Sequence, residues 1–366
     1  MMNRLLSLSL ILVFCVWSLY GQKRPLPFFV AYEKGKAYVL LVDVPTKMKG
    51  FNVYRKAEGE FQLLNEEPVE PEKDPSAFRD VLGDEYNWIR NAMKAENELQ
   101  VMRRVQSDRG SAFAFSVASL NVARAMGRLF VDSAAQEGAE YTYGIAYLDF
   151  GNREFDRKDR TVRLQESEPP APTELKAEAS DGKVKLTWQY PSYSGDPNDI
   201  TVGFNIYREE ENAPPKKVNN VLVLRQEGQL SRIDDEVENG KSYTYTVRAV
   251  DFIGRESDPS KPVTALPKDM KAPAVPTGLV ATMQEGKILL DWKMGLELDI
   301  SYYDIYRGLS SQGEFTKINA RPIPATAPTF VDTSVIFGPY YFYKVKATDK
   351  SGNESRFSAS IPSRPG

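Results

Sequence analysis

Apolar and polar residues alternate along "YTYTVRAV": Tyr243, Tyr245, Val247 and Ala249 fall on one face, and Thr244, Thr246 and Arg248 on the other. A period of two predicts a half-buried antiparallel strand with one face in a core and one in water. The same strand is written twice more, in "EYTYGIAYLDFGNRE" from Glu140 and "YYFYKVKATDKSGNE" from Tyr340. Each copy ends on an Asp and a turn that contains Gly.

Six positions stay in register through the three copies. Val131, Ile233 and Val331 are each followed by Asp132, Asp234 and Asp332; then come Gly138, Gly240 and Gly338, the pairs Tyr141/Tyr143, Tyr243/Tyr245 and Tyr341/Tyr343, and Asp149, Asp251 and Asp349. The period is about 100 residues, the size of a small β-sandwich rather than of a solenoid repeat. Upstream, "GFNVYR", "GFNIYR" and "YYDIYR" follow strands opened by Gly-Lys, in "GKAYVLLVDVP", "GKVKLTWQYP" and "GKILLDWKM". The recurring Arg55, Arg208 and Arg307 read as exposed strand residues whose stems lie along a neighbouring strand.

One stretch breaks the pattern. Residues 66–130 separate Asn65 from Val131 in the first copy, against only 220–232 and 320–330 in the others. The surplus, at about 72–128, changes to a helical period. Asp74-Pro75 is an N-cap signal with Gly83 as the stop. Tyr86, Ile89 and Met93, continued by Leu99, Met102 and Val105, predict a second helix that "SDRGS" ends. A third, from about Ala112 to Met126, has the widest apolar stripe and is expected to be the most buried. Ordered helices must bury apolar surface somewhere to offset chain entropy. Three roles are open to them: thickening the first sandwich, making a groove or ledge for a partner, or contacting the second module and setting its angle. Tyr86 and Trp88 are the candidate partner-binding residues, with helix core as the other reading of both.

Composition removes whole classes of chemistry. The chain of 366 residues has no His, and its one Cys is Cys15, so imidazole and thiolate catalysis, and the metal sites built on them, are excluded. A net charge of -3 lacks the basic footprint of a nucleic-acid binder. "MMNRLLSLSLILVFCVWSLYGQKRP" has a basic start and an apolar run from Leu5 to about Tyr20, read as a signal peptide at 1–21. The run is shorter than the roughly 18 to 20 apolar residues that span a bilayer, so no integral membrane span is expected in the mature chain. "DKSGN" approaches an oxygen-rich cation loop but lacks the remaining ligands of an EF-hand, and it reads as a turn. "GKVKLTW" leads into a strand and is no phosphate loop. Paired carboxylates can serve a glycosidase without His, yet nothing here predicts a deep pocket. No catalytic, cofactor or metal residues are assigned.

These features together resemble the fibronectin type III family, in the variety common in secreted bacterial proteins. The resemblance rests on Trp188 and Trp292 late in the second strands, on the "YR" strand, and on Gly-x-x-Tyr-x-Tyr before the sixth strand. Leu41 stands in the Trp position of the first copy. The resemblance implies an all-β chain of tandem immunoglobulin-like sandwiches with an α-helical insertion in the first, and it makes Tyr141, Tyr243 and Tyr341 tyrosine corners whose hydroxyls bond to backbone. Pro-rich "ESEPPAPTEL" and "PKDMKAPAVPTGL" mark joints, which divide the chain into modules at 22–166, 167–269 and 270–366; the closing "SIPSRPG" resembles a further linker. The expected function is non-enzymatic: an exported interaction or scaffold protein of the cell envelope or medium, with a protein or surface polysaccharide as partner. The alternative is an accessory part, spacer or carbohydrate-contacting, of a larger secreted hydrolase.

Overall fold

The computed structural model describes residues 27–365, except 46, 194, 195, 197 and 212. The expected leader at 1–21 lies outside the described residues.

The first repeat contains β1 (Phe28–Glu33), β2 (Lys36–Leu41), β3 (Gly50–Lys56), β4 (Gln62–Leu63), β5 (Leu129–Asp132), β6 (Glu140–Leu148) and β7 (Glu154–Arg163). They form one sheet in the order β1-β2-β5 and another in the order β4-β3-β6-β7. The second repeat has β8 (Thr173–Ser180), β9 (Lys183–Gln189), β10 (Thr201–Glu210), β11 (Lys216–Lys217), β12 (Val223–Leu224), β13 (Leu230–Asp234), β14 (Tyr243–Asp251) and β15 (Val263–Ala265). Its sheets run β13-β9-β8 and β11-β10-β14-β15, with β12 also on β10. The third has β16 (Val280–Gln284), β17 (Lys287–Asp291), β18 (Ile300–Gly308), β19 (Thr316–Lys317), β20 (Ile323–Pro324), β21 (Thr329–Asp332), β22 (Tyr341–Asp349) and β23 (Ile361–Ser363), ordered β16-β17-β21 and β19-β18-β22-β23. The chain is thus three two-sheet sandwiches of one topology. They fall into two compact units: one runs up to Glu178 with Val184–Asp234 and Ser242–Ala265, the other comprises Leu266–Gly366 with Ala179–Lys183 and Asp235–Lys241.

The alternation holds: Tyr243, Tyr245, Val247 and Ala249 are all buried. Trp188 and Trp292 are core residues, each edge-on to an aromatic ring of the facing sheet, Phe204 at 5.5 Å and Tyr303 at 5.4 Å. Such edge-to-face pairs add stability beyond area burial.

The recurring arginines are not exposed, which corrects the strand-surface reading. Arg55, Arg208 and Arg307 reach between the sheets to Asp132, Asp234 and Asp332, at 2.7, 2.8 and 2.8 Å. The same carboxylate oxygens accept the hydroxyls of Tyr143, Tyr245 and Tyr343 at 2.8 to 2.9 Å. Each guanidinium also lies over the first tyrosine of its pair, Tyr141, Tyr243 or Tyr341, at 4.7 to 5.2 Å. A buried charge needs both a partner and hydrogen bonds, and Asp, Arg and Tyr supply them in every module. Burial and the adjacent carboxylate push all three inner tyrosine hydroxyls far above their ordinary pKa. Of the expected tyrosine corners, Tyr341 accepts the Ile336 N–H at 3.2 Å.

Asn65, Asn219 and Asn319 form a second repeated device. Each side-chain oxygen accepts a strand N–H, from Val53, Ile206 or Ile305 at 2.7 to 2.8 Å. Each amide nitrogen donates to a carbonyl two residues on, Glu67, Val221 or Arg321. The Asn thereby closes the backbone where the chain leaves the short strand after "YR".

The insert folds into α1 (Pro75–Leu82), α2 (Glu85–Ala92), α3 (Glu98–Ser107), α4 (Arg109–Ala118) and α5 (Leu120–Ala125). The second and third predicted helices are each split in two. The former ends at Ala92, where the chain turns through Lys94 at φ 52, and Asn97 then caps α3 by accepting the Gln100 N–H at 3.0 Å; Ser119 caps α5 through the Val122 N–H at 3.1 Å. Asp108, inside the predicted breaker, instead caps α4 through Gly110. Such caps satisfy orphan amides at helix starts, and polar residues inside a continuous apolar stripe gave little sign of them. Phe78, Leu82, Ile89, Val101, Val105 and Phe115 make the helical core.

A third apolar cluster joins what the sequence separates. The outer face of β1 and β2, through Phe29, Ala31 and Leu40, packs with Val117 and Ala123 of the insert and with Ile200, Val202 and Phe252 of the second sandwich. Phe252 stacks on Phe29 at 5.9 Å, and Arg255 donates to the Tyr32 carbonyl at 3.0 Å. The insert both thickens the first sandwich and touches the second.

Candidate functional site

In the insert, α1, α2 and the start of α3 enclose an open cleft of about 860 Å³, none of whose lining residues belongs to the joint cluster. Local capping sets its walls. Asp74 caps α1 by accepting the Ala77 N–H at 2.9 Å, and Gly83, at φ 55, turns the chain into α2. Arg79, Tyr86, Arg90, Glu96, Asn97 and Glu98 are among the lining residues. Arg79 bonds Glu98 at 2.8 Å, which raises its pKa, and lies 5.6 Å from the Tyr86 ring centre. Arg90 makes no ion pair among the described residues, so the cleft offers one uncommitted cation, several carboxylate and amide groups, and one mostly buried aromatic ring.

The structure does not bring the two candidate residues together. Tyr86 belongs to the helical core and lines the cleft while only 8% exposed. Trp88 lies outside the cleft, 37% exposed, with its ring edge-on to Phe115 at 5.3 Å. Sequence reasoning missed Arg79, Arg90 and Glu98. They are ordinary helix-surface charges in the sequence, and only the fold of α1 against α3 makes them neighbours.

A smaller cavity of about 250 Å³ lies between residues 167–170 and the second sandwich, lined in part by Tyr190, Asp199 and Arg225. Arg225 is already committed there: it pairs with Asp199, donates to the Pro191 carbonyl at 2.7 Å and lies over the Tyr193 ring at 3.9 Å. Burial pushes the Tyr193 hydroxyl up to about 12. In the third sandwich, carboxylate oxygens of Asp269, Asp299 and Asp349 lie within 4.8 Å of one another. Asp349 is engaged as in the other repeats, accepting the Ser351 and Asn353 amides at 2.8 Å. The turn reading of "DKSGN" therefore accounts for its geometry. No helix among the described residues is long and apolar enough to cross a membrane.

No family model matches the chain. Among curated proteins it is 28% identical over 247 residues to exoglucanase B of Cellulomonas fimi, a match covering 63% of this chain and 21% of that protein. It is 33% identical over 127 residues to an amylopullulanase of Thermoanaerobacterium saccharolyticum, covering 35% of this chain and 9% of the relative. The chain thus spans about a fifth or less of these relatives. Among solved structures, a Fn3-like protein from Clostridium thermocellum is 30% identical over 26% of this chain and 96% of its own, with a TM-score of 0.23.

Proposed function

This chain belongs to the fibronectin type III family, and from that premise we propose that it is a non-enzymatic, exported interaction protein whose first module presents the helical insert to a partner. The modules run over 22–166, 167–269 and 270–366, behind a cleaved leader at 1–21. The observation that carries this reading is the division of the insert between two separate sets of residues. Val117 and Ala123 are packed between two sandwiches, while Arg79, Arg90 and Glu98 line a polar cleft. A rigid scaffold that holds a decorated insertion is where binding tends to be located. The mixture of amides, carboxylates, a cation and one mostly buried aromatic ring suits a hydroxyl-rich polymer better than an apolar peptide.

A second reading has its own support. Exoglucanase B and amylopullulanase are, by name, glucan-cleaving enzymes of which this chain matches only a part. That favours an accessory, polysaccharide-contacting stretch of a larger secreted hydrolase. Both readings give the chain itself no catalytic step.

The test is retention of the mature chain on insoluble cellulose, starch and envelope polysaccharide, beside an Arg90→Ala/Glu96→Ala variant and a chain lacking 72–128. Retention that the variant and the deletion both lose supports the cleft. Equal retention of all three moves binding away from the insert, and release of soluble sugar by purified chain overturns the non-enzymatic reading.

A further inference from the structure

The three sandwiches can be compared position by position on the Gly-Lys turns at Gly35, Gly182 and Gly286. On the outer face of the three-stranded sheet, the first carries Phe29, Tyr38 and Val131, all packed in the joint with the second sandwich. The second has Lys176, Lys185 and Ile233 at these places, all three exposed to water. The third has Val280, Leu289 and Val331. Leu289 and Val331 pair directly across the strands, and Val280 and Val331 are 55% and 47% exposed. The third sandwich therefore keeps an uncovered apolar strip at these three positions, bordered by Thr282, Asp291 and Thr329 where the first has Ala31, Leu40 and Leu129.

The docking group is also duplicated. Phe252 and Arg255, which make the joint, sit in the turn after β14. In the corresponding turn after β6, "DFGNRE" places Phe150 and Arg153, and the two turns have the same frame. Asp149 accepts the Gly151 and Arg153 amides as Asp251 accepts those of Ile253 and Arg255. Asn152 and Gly254 both take the left-handed φ that the turn needs, 59° and 92°. Phe252 is buried, whereas Phe150 is 77% exposed. The third sandwich has Lys350 and Asn353 instead and lacks the group.

We propose that a second copy of this chain supplies the missing partner: the Phe150 turn of one copy docks on the Val280–Leu289–Val331 face of another, as Phe252 docks on Phe29 within each copy. The contact is heterologous, joining two different surfaces, so it propagates rather than closing on itself unless its rotation forms a ring. It is weaker than the internal joint, which has the insert as a further wall and a covalent tether that raises the local concentration of its partner.

Sedimentation velocity of the mature chain from micromolar to millimolar tests this. The expected result is a sedimentation coefficient that rises with concentration, and Phe150→Ser or Val331→Lys, both at exposed positions, each abolishes the rise while leaving circular dichroism unchanged. Mixing the two variants restores one good turn and one good face, so a 1:1 complex forms and grows no further. A monomer throughout, whether because another partner covers the turn or because it stays bare, overturns the proposal. So does association indifferent to both substitutions, or a mixture of the two variants that stays monomeric.

Discussion

Arg208 and Asp234 meet at 2.8 Å between the sheets of the second sandwich, with 7% and 5% of their side chains open to water. Tyr245 shares the carboxylate at 2.9 Å. Removing one member of such a pair leaves an uncompensated charge and costs about 3–5 kcal/mol, whereas an apolar replacement of the whole group is often neutral. Arg208→Met alone is expected to lower the unfolding midpoint of the second sandwich sharply. The triple change Arg208→Met/Asp234→Leu/Tyr245→Phe is expected to recover most of that loss. Denaturant titration of the chain, followed by exchange at second-sandwich amides, decides; a triple variant no better than the single one removes the inference. Arg307 is 23% exposed, so Arg307→Met is expected to cost less.

The Asp332 carboxyl gives a pH dependence. Burial alone raises it, but the Ser334 amide and hydroxyl, Arg307 and Tyr343 outweigh that and hold it below its ordinary value. A depressed acid contributes stability that is complete above its unfolded pKa, near 3.9, and is lost as pH falls through the folded value. Third-sandwich stability is therefore expected to fall between about pH 4 and the depressed value, and Asp332→Asn flattens that part of the profile. A wild-type slope retained by the Asn variant shifts the effect to other carboxylates.

Asn219 carries the backbone closure of the second sandwich, accepting the Ile206 N–H and donating to the Val221 carbonyl. Asn219→Leu keeps the volume but orphans both groups, at about 1–3 kcal/mol for each buried group left unsatisfied. Asn219→Asp keeps the acceptor and, when protonated, a donor as well, so it is expected to cost less than Leu at acid pH and to lose that advantage as the carboxyl ionises against the Val221 carbonyl. Thermal melts at acid pH that rank Asp below Leu contradict the clip.

The repeated strands, the two core tryptophans and the period of the modules were legible because alternation and spacing reach the sequence directly. The Asp positions were equally visible. Their partner was not, because Arg208 on a strand reads as a surface residue until the opposing sheet places Asp234 beside it. Insert boundaries followed from Asp74-Pro75, but the splits at Asn97 and Ser119 interrupt continuous apolar stripes and depend on caps. The joint had a signal of its own. "FFVAY" is apolar at consecutive positions, and Phe28 lies in the inner core while Phe29 lies in the joint. A half-buried strand alternates, so this one has two covered faces. The cleft left no trace at all, since Arg79 and Glu98 meet only through tertiary packing.

The joint makes the order of the insert depend on a residue far from it in sequence. Phe252 stacks on Phe29, and the same cluster holds Val117 of α4 and Ala123 of α5. Phe252→Ala deletes the ring and leaves a cavity, a change that costs about 3–5 kcal/mol at a well-packed site. Local openings are drawn from the least supported elements, so the loss is expected at α4, α5 and the outer side of β1 first. Phe78, Ile89 and Val105 pack in the separate helical core, and amides of α1 and the middle of α3 are expected to keep their protection. Hydrogen exchange on wild type, on Phe252→Ala and on residues 22–166 alone resolves the three segments. Faster exchange of α4 and α5 in both altered proteins, with α1 unchanged, makes the second sandwich a support of the insert. Equal protection of 109–125 in all three shows instead that the first sandwich holds the helices by itself, and that Phe252 only rests against them.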